Sequence, residues 1–194
     1  MRAFYKFFKN FYQKAHELQA KEIASFLGQN KKILDLGCGS ANLSQILASR
    51  YKFSVFGLDI QDKRIHQIPF QTFNGENIPF PENFFDAVLI SFVLHHAKNP
   101  LSLLKEAKRV GKILILFEDV PENFLQKVFC WIHFLSWNLF FGKTEKFFFL
   151  NTKEWREIFK NLSLELAVEK EIKFKYHFLH PVKKKMFILR KIES

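Results

Sequence analysis

From Lys32 to Ser44 the chain reads K-I-L-D-L-G-C-G-S-A-N-L-S. Few folds accommodate that order. Ile33, Leu34 and Leu36 form a short apolar run suited to a buried parallel strand. Gly37, Cys38 and Gly39 end it in a tight turn. Ser40 then offers a helix N-cap, and Ala41 to Ser49 continues as a helix with Leu43, Ile46 and Leu47 on one side. A strand, a glycine turn and a helix start together make a small-ligand site. The glycines admit a ligand to the backbone, and a helix start presents unpaired N–H groups.

The next unit has the same form. Phe53 to Leu58 reads as a second strand ending at Asp59, one strand–helix–strand unit after Asp35. A carboxylate at that strand tip is placed to accept hydrogen bonds from both hydroxyls of a ribose. Asp62 to Gln67 is at most a short helix, and Phe70 to Phe73 a short third strand. N-G-E-N-I-P-F-P-E-N-F-F-D follows at residues 74–86. Ala87 to Ser91 is an apolar fourth strand, with Asp86 a structural acid at its start. Its carboxyl end carries Ser91, Phe92 and L-H-H at 94–96. In open α/β sheets ligands bind at the carboxyl ends of strands, so these ends converge on one crevice.

The acid–glycine turn and the 74–86 segment resemble the first two signatures of the class I methyltransferases that use S-adenosylmethionine (SAM). Ala41 stands where that family commonly has a third glycine, and Asn74 where it usually has aspartate. The resemblance implies a Rossmann-like α/β fold. Its seven-stranded sheet is mostly parallel with the last strand antiparallel, and helices cover both faces. It implies SAM as cofactor and S-adenosylhomocysteine (SAH) as product. The cofactor residues carried over are Asp35, Gly37, Cys38 and Gly39 for the methionine end, with Asp35 meeting the ammonium group. Asp59 takes the ribose, and Ile60 beside it is a further cofactor residue. Asn74, through its carbonyl, and Gly75 take the adenine, and Ser91 and Phe92 floor the pocket. His95 or His96 is the candidate acid–base group, against a purely packing role for both. No metal is implied.

The remainder is organised around that core. Residues 3–27 read as one or two helices, with Phe11 or Tyr12 able to touch a ligand. Asn99 and Pro100 start a helix that Gly111 ends, and Lys112 to Phe117 is a fifth strand. Glu118 and Asp119 follow, facing the crevice, where they could bind a polar substrate group or raise a neighbouring histidine's pKa. Residues 124–141, F-L-Q-K-V-F-C-W-I-H-F-L-S-W-N-L-F-F, are apolar nearly all round as a helix. An all-round apolar helix must be covered. A lid over an apolar substrate, a segment lying on a membrane and a dimer interface all satisfy that. The lid reading makes Trp131, His133, Phe134 and Trp137 pocket residues with Tyr12 and Glu118. A helix capped by Asn151 or Thr152 comes next, then strands at Leu162 to Lys175 and from Lys183 to Lys191.

These readings divide one domain of 194 residues into N-terminal helices (1–30), a cofactor core (31–119), an aromatic lid (120–150) and a C-terminal helix with an antiparallel strand pair (151–194). Two cysteines, Cys38 and Cys130, make no disulfide framework and suit a reducing compartment. The chain has no signal-peptide pattern and no apolar run of the roughly 18 residues that span a bilayer. It reads as cytoplasmic, with a peripheral contact at the inner membrane face left open. Net charge is +11, but the basic residues are dispersed and lack a stacking motif, so nucleic acid is not indicated.

The function these features support is methyl transfer from SAM to a small apolar or lipid-like acceptor, by a monomer or homodimer. A SAM-binding or membrane-associated accessory protein without turnover is the alternative. An NAD-dependent oxidoreductase is disfavoured because Asn42 occupies the place of the third glycine of a dinucleotide turn.

Overall fold

The structure, a computed structural model, describes residues 2–140, 147–174 and 181–192. A long helix α1 (Arg2–Leu27) leads into β1 (Lys32–Leu36), α2 (Asn42–Tyr51), β2 (Ser54–Asp59) and β3 (Phe70–Thr72). Then come β4 (Phe85–Ser91), a 3₁₀ turn (Leu94–His96), α3 (Pro100–Val110) and β5 (Gly111–Val120). The chain continues with α4 (Phe124–Phe140), α5 (Thr152–Asn161), β6 (Leu164–Glu171) and β7 (Lys183–Lys191).

The strands form a seven-stranded sheet in the order β3-β2-β1-β4-β5-β7-β6. Pairings from β3 through β5 are parallel, and β7 runs antiparallel to both β5 and β6. The expected sheet class is therefore the observed one. From β1 the chain moves outward to β2 and β3, then returns to place β4 on the other side of β1. That reversal opens a crevice at the carboxyl ends of β1, β2 and β4.

Strand periodicity explains the layers. Leu34, Leu36, Val88, Ile90, Leu114 and Leu116 pack with Leu103, Leu104 and Ala107 of α3 and with Trp155 and Phe159 of α5. Their neighbours Ile33, Ala87, Leu89, Ile115 and Phe117 pack on the other face with Ala20 and Ile23 of α1 and Leu43 and Leu47 of α2. Successive side chains of a strand point to opposite faces, so a central strand covered on both sides reads as one continuous apolar run. α4 stands apart from both cores. It packs through Cys130 on Phe149 and Val182, with Phe129, Phe134 and Phe147 around them.

Several boundaries differ from the sequence reading. Residues 62–67 are not helical. Arg64 organises that loop instead, bonding Asp62 and the Ile68 carbonyl and lying over the Phe70 ring. β5 runs through Val120, so Glu118 and Asp119 are strand residues rather than loop residues. β6 is shorter than expected because Ser163 (φ 51) turns the chain at its start and pairing ends at Glu171. Lys175 and Phe141, which ended two expected elements, lie outside the described residues.

Candidate functional site

The glycine turn is built by backbone bonds. The N–H groups of Gly37 and Cys38 donate to the Leu58 carbonyl at 2.7 and 3.4 Å, tying the turn to the end of β2. Gly37 has φ 76, and a Cβ there would lie 2.5 Å from Val93 Cγ2. Only glycine fits both the backbone and the space. Ser40 is not the N-cap of α2. Ala41 holds that position in the left-handed region, φ 61, with no side-chain cap. The Ser40 hydroxyl instead accepts from Asn42 Nδ2, and its carbonyl accepts from Ile65 N–H.

Asp59 sits where expected. Its Oδ2 accepts the Gly39 N–H at 2.8 Å, while Oδ1 receives only a long 3.4 Å contact from Gln61 N–H. The carboxylate thus holds the turn with one oxygen and leaves the other only weakly engaged. Gly37, Gly39, Asp59, Ile60, Asn74, Gly75, Ser91 and Phe92 all line one cavity of about 550 Å³. That volume is in the range of small-molecule and cofactor sites.

Three cofactor expectations need correction. Asp35 is not in the cavity wall. Its carboxylate is 3% exposed and faces α2, where the Ser44 hydroxyl donates to it. Burial raises its pKa to about 6, against the Ser44 hydrogen bond and helped by the Asp59 charge. Cys38 also lies behind the turn, its sulfur filling the space a Cβ on Gly57 would need. Burial raises its thiol pKa, so it is a packing group. Asn74 lines the cavity, but its side-chain carbonyl accepts the N–H groups of Glu76 and Asn77 at 3.0 and 2.9 Å. Both lone pairs are engaged in the Asx turn, so this oxygen is not open to an adenine amino group.

The two histidines of the 3₁₀ turn differ. His95 is 2% exposed and does not line the cavity. Its Nδ1 meets Glu118 Oε2 at 2.6 Å, and Glu118 Oε1 accepts the Leu94 N–H at 2.9 Å. Burial would lower the His95 pKa, but the charge and hydrogen bond of Glu118, with the Asp119 charge, hold it above the ordinary value. His96 does line the cavity, stacked on Trp137 with ring centroids 3.8 Å apart. Burial, reinforced by His95 and His133, pushes its pKa down to about 2. So low a value keeps the imidazole neutral and makes it a weak base.

Of the expected pocket residues only Trp137 reaches the cavity. Trp131 is 52% exposed on the far side of α4, because helical spacing points it away from Trp137. Phe134 packs against Phe147, and His133 lies against His95 and His96. Glu118 is sealed beneath His95. Tyr12 is an exposed residue of α1 outside the cavity wall. The Phe11 side chain lies outside the described ones. Sequence reading missed Gln19, which is buried and donates from Nε2 to Ser91 Oγ at 2.8 Å. It sits one position before Ala20 on the buried face of α1, and nothing in the pattern marked it as polar contact. Lys63, Phe73, Val93, Lys98 and Leu103 also line the cavity unforeseen.

A family described as "Methyltransferase domain" matches residues 34–113. A demethylmenaquinone methyltransferase of Geobacillus sp. (strain WCH70) is 32% identical over 111 residues, 48% of this chain and 47% of that protein. The chain spans about half the length of the curated relatives it matches. Among solved structures, a SAM-dependent methyltransferase of Methanosarcina mazei superposes with TM-score 0.69 at 21% identity, over 89% of this chain and 97% of that one. Magnesium protoporphyrin IX methyltransferase of Synechocystis PCC 6803, solved with bound SAH, gives 0.68 at 18%, over 96% and 86%. At such identities these two likenesses concern the fold.

Proposed function

We propose that this chain is a class I SAM-dependent methyltransferase, as the methyltransferase-domain match over residues 34–113 supports, and that it moves a methyl group from SAM to a small apolar or lipid-like acceptor. The observation that carries the reading is the Gly37–Gly39 turn with Asp59 beside it, opening on one cavity with the Asn74–Gly75 turn. The cradle fits the group: a side chain at Gly37 would close it, and Asp59 keeps one oxygen weakly engaged.

In this reading the backbone of Gly37 and Gly39 holds the methionine end. Asp59 Oδ1 accepts from the ribose hydroxyls while Oδ2 keeps the turn in place. The Asn74–Gly75 backbone and the exposed wall at Ile60 take the adenine. Gln19 donates to the Ser91 hydroxyl and so turns its proton toward the cavity, with Phe92 beside it. Phe92 holds a left-handed backbone, φ 56, anchored by its N–H to the Phe117 carbonyl. Strain of this kind is kept where it aims a functional segment. SAM supplies a methyl on a sulfonium, already a good leaving group. The protein's task is then alignment and exclusion of water. Trp137 and Leu103 make the acceptor end apolar, with His96 its polar point.

Two observations support a lipid-like acceptor. The Geobacillus relative is named for a demethylmenaquinone. The outer face of α4 exposes Phe124, Leu125, Val128, Trp131, Ile132, Leu135 and Leu139, a continuous helical stripe. With a net charge of +11, such a stripe suits peripheral contact with an anionic bilayer. Among the described residues no helix is long and apolar enough to cross a membrane. Residues 31–119 then serve as the cofactor core and 120–150 as the lid of a single domain.

Calorimetry tests the reading with SAM, SAH and NADH on wild type and Asp59→Ala. SAM and SAH should bind, and the substitution should weaken both at least tenfold, a charge-assisted hydrogen bond being worth about 1.5–3 kcal/mol. Preference for NADH, or SAM affinity unchanged by Asp59→Ala, overturns it. SAM binding without transfer to any quinol, phenol or lipid acceptor would favour the accessory-protein alternative.

A further inference from the structure

His95 and His96 come from the 3₁₀ turn after β4, and His133 comes from the inner face of α4. Their ring centroids are 4.1, 5.6 and 5.5 Å apart. One ring nitrogen from each lies within 4.8 Å of the other two. We propose that these three side chains form a binding site for a divalent metal ion of the zinc class, beside the cavity and under α4.

The surroundings are those a metal site needs. Glu118 occupies Nδ1 of His95 at 2.6 Å, which leaves Nε2 as the ligating nitrogen. A carboxylate behind a ligating histidine fixes its tautomer and orientation and raises its basicity. Glu118 is itself fixed by the Leu94 N–H, so the support belongs to the same turn that carries two of the ligands. Aromatic walls hold the rings. Phe149 stacks on His95 at 4.7 Å and meets His133 edge-on at 6.0 Å, and Trp137 stacks on His96 at 3.8 Å.

The donor set selects the ion. Three imidazoles with no oxygen ligand among them suit zinc and its transition-metal neighbours, and do not suit magnesium or calcium, which require oxygen. Zn–N bonds of about 2.0–2.1 Å place tetrahedral nitrogens about 3.3 Å apart. Closing the observed spread of up to 4.8 Å on a bound ion requires ring rotations and an inward shift of α4. Three protein ligands leave a fourth position open, the pattern of catalytic rather than structural zinc. His96 lines the cavity, so that position lies at the acceptor end. On the methyl-transfer reading, the ion would bind an acceptor hydroxyl or thiol and lower its pKa.

The site is tested without cofactor or activity. Untagged, EDTA-stripped full-length protein is titrated with Zn²⁺ alone by calorimetry, with Co²⁺ for its visible spectrum and with Mg²⁺ as control. One zinc per chain is expected, with an intense four-coordinate cobalt spectrum and no magnesium uptake. His133→Ala should weaken zinc binding at least 100-fold, and Glu118→Gln by about 10–100-fold with all three ligands present. His66→Ala, a histidine bonded to Asn42 outside the cluster, should change nothing. Absence of stoichiometric zinc in the wild type overturns the proposal. So does zinc affinity unchanged in a folded His133→Ala or Glu118→Gln protein. The wild-type titration decides even where a variant fails to fold, and SAM calorimetry is scored separately.

Discussion

Replacing Asp35 by asparagine should change how stability depends on pH, by an amount the structure sets. The carboxyl group is sealed, accepts a hydrogen bond from Ser44, and has its pKa lifted from 3.8 to about 6 by burial. The unfolded chain releases that proton near its ordinary value. Between the two pKa values the native state therefore holds more protons than the unfolded state, and stability falls as pH rises. The stability present below pH 4 is lost as the pH rises through 6. Two pKa units correspond to ~3 kcal/mol, of which ~2 kcal/mol falls between pH 4.5 and 7. Asparagine keeps the acceptor for Ser44 and removes the titration. Urea unfolding of both proteins at several pH values supplies the assay, because the difference between them cancels every other titrating group. The asparagine variant should gain ~2 kcal/mol relative to wild type between pH 4.5 and 7. A difference that stays flat with pH would refute the reasoning, since Asp35 would then ionise as an exposed group does.

Ala41 is fully buried in a left-handed backbone that costs an L-residue roughly 1 kcal/mol. Ala41→Gly relieves it at a smaller entropic cost, so a thermal melt should show a gain of ~0.5 kcal/mol. A net loss would mean that the buried methyl outweighs the backbone. Ile132→Glu with Leu135→Glu alters only the exposed stripe of α4. It should abolish cosedimentation with phosphatidylglycerol vesicles at low salt while leaving SAM affinity unchanged. Wild-type protein that fails to cosediment would remove the bilayer from the reading.

The legible parts of this chain are those where one local pattern answers one question. β1 is found at Lys32–Leu36 because its apolar run stops at a glycine turn. Asp59 is placed at the cavity because a strand tip at a switch point opens on the crevice. The misplacements come from long-range competition. Asp35 has the right type and spacing for a ligand contact, yet Ser44, nine positions on, captures its carboxylate from the next helix. Asn74 has a carbonyl that suits a ligand, while its own turn takes both lone pairs. Glu118 looked like a loop acid because the charge pair ended an apolar run. The sheet continues past it, since β7 pairs with β5 as far as Val120. Gln19 meets Ser91 from α1 and His133 meets the other histidines from α4, and no short-range pattern records such meetings.

α4 shows why an apolar helix resists assignment from periodicity. Its sequence is apolar on nearly every side, so no single face is marked as inner. The structure divides it: Cys130, His133, Phe134 and Trp137 turn inward, while Trp131, Ile132, Leu135 and Leu139 turn out. The inner residues meet the histidines and the cavity, and the outer residues are exposed. A rigid helix couples its two faces. On the proposed function, a bilayer that holds the outer stripe also fixes the position of Trp137 over His96, and so the shape of the acceptor end. A lipid-like acceptor arriving from that bilayer would reach the end of the cavity that its own surface has ordered.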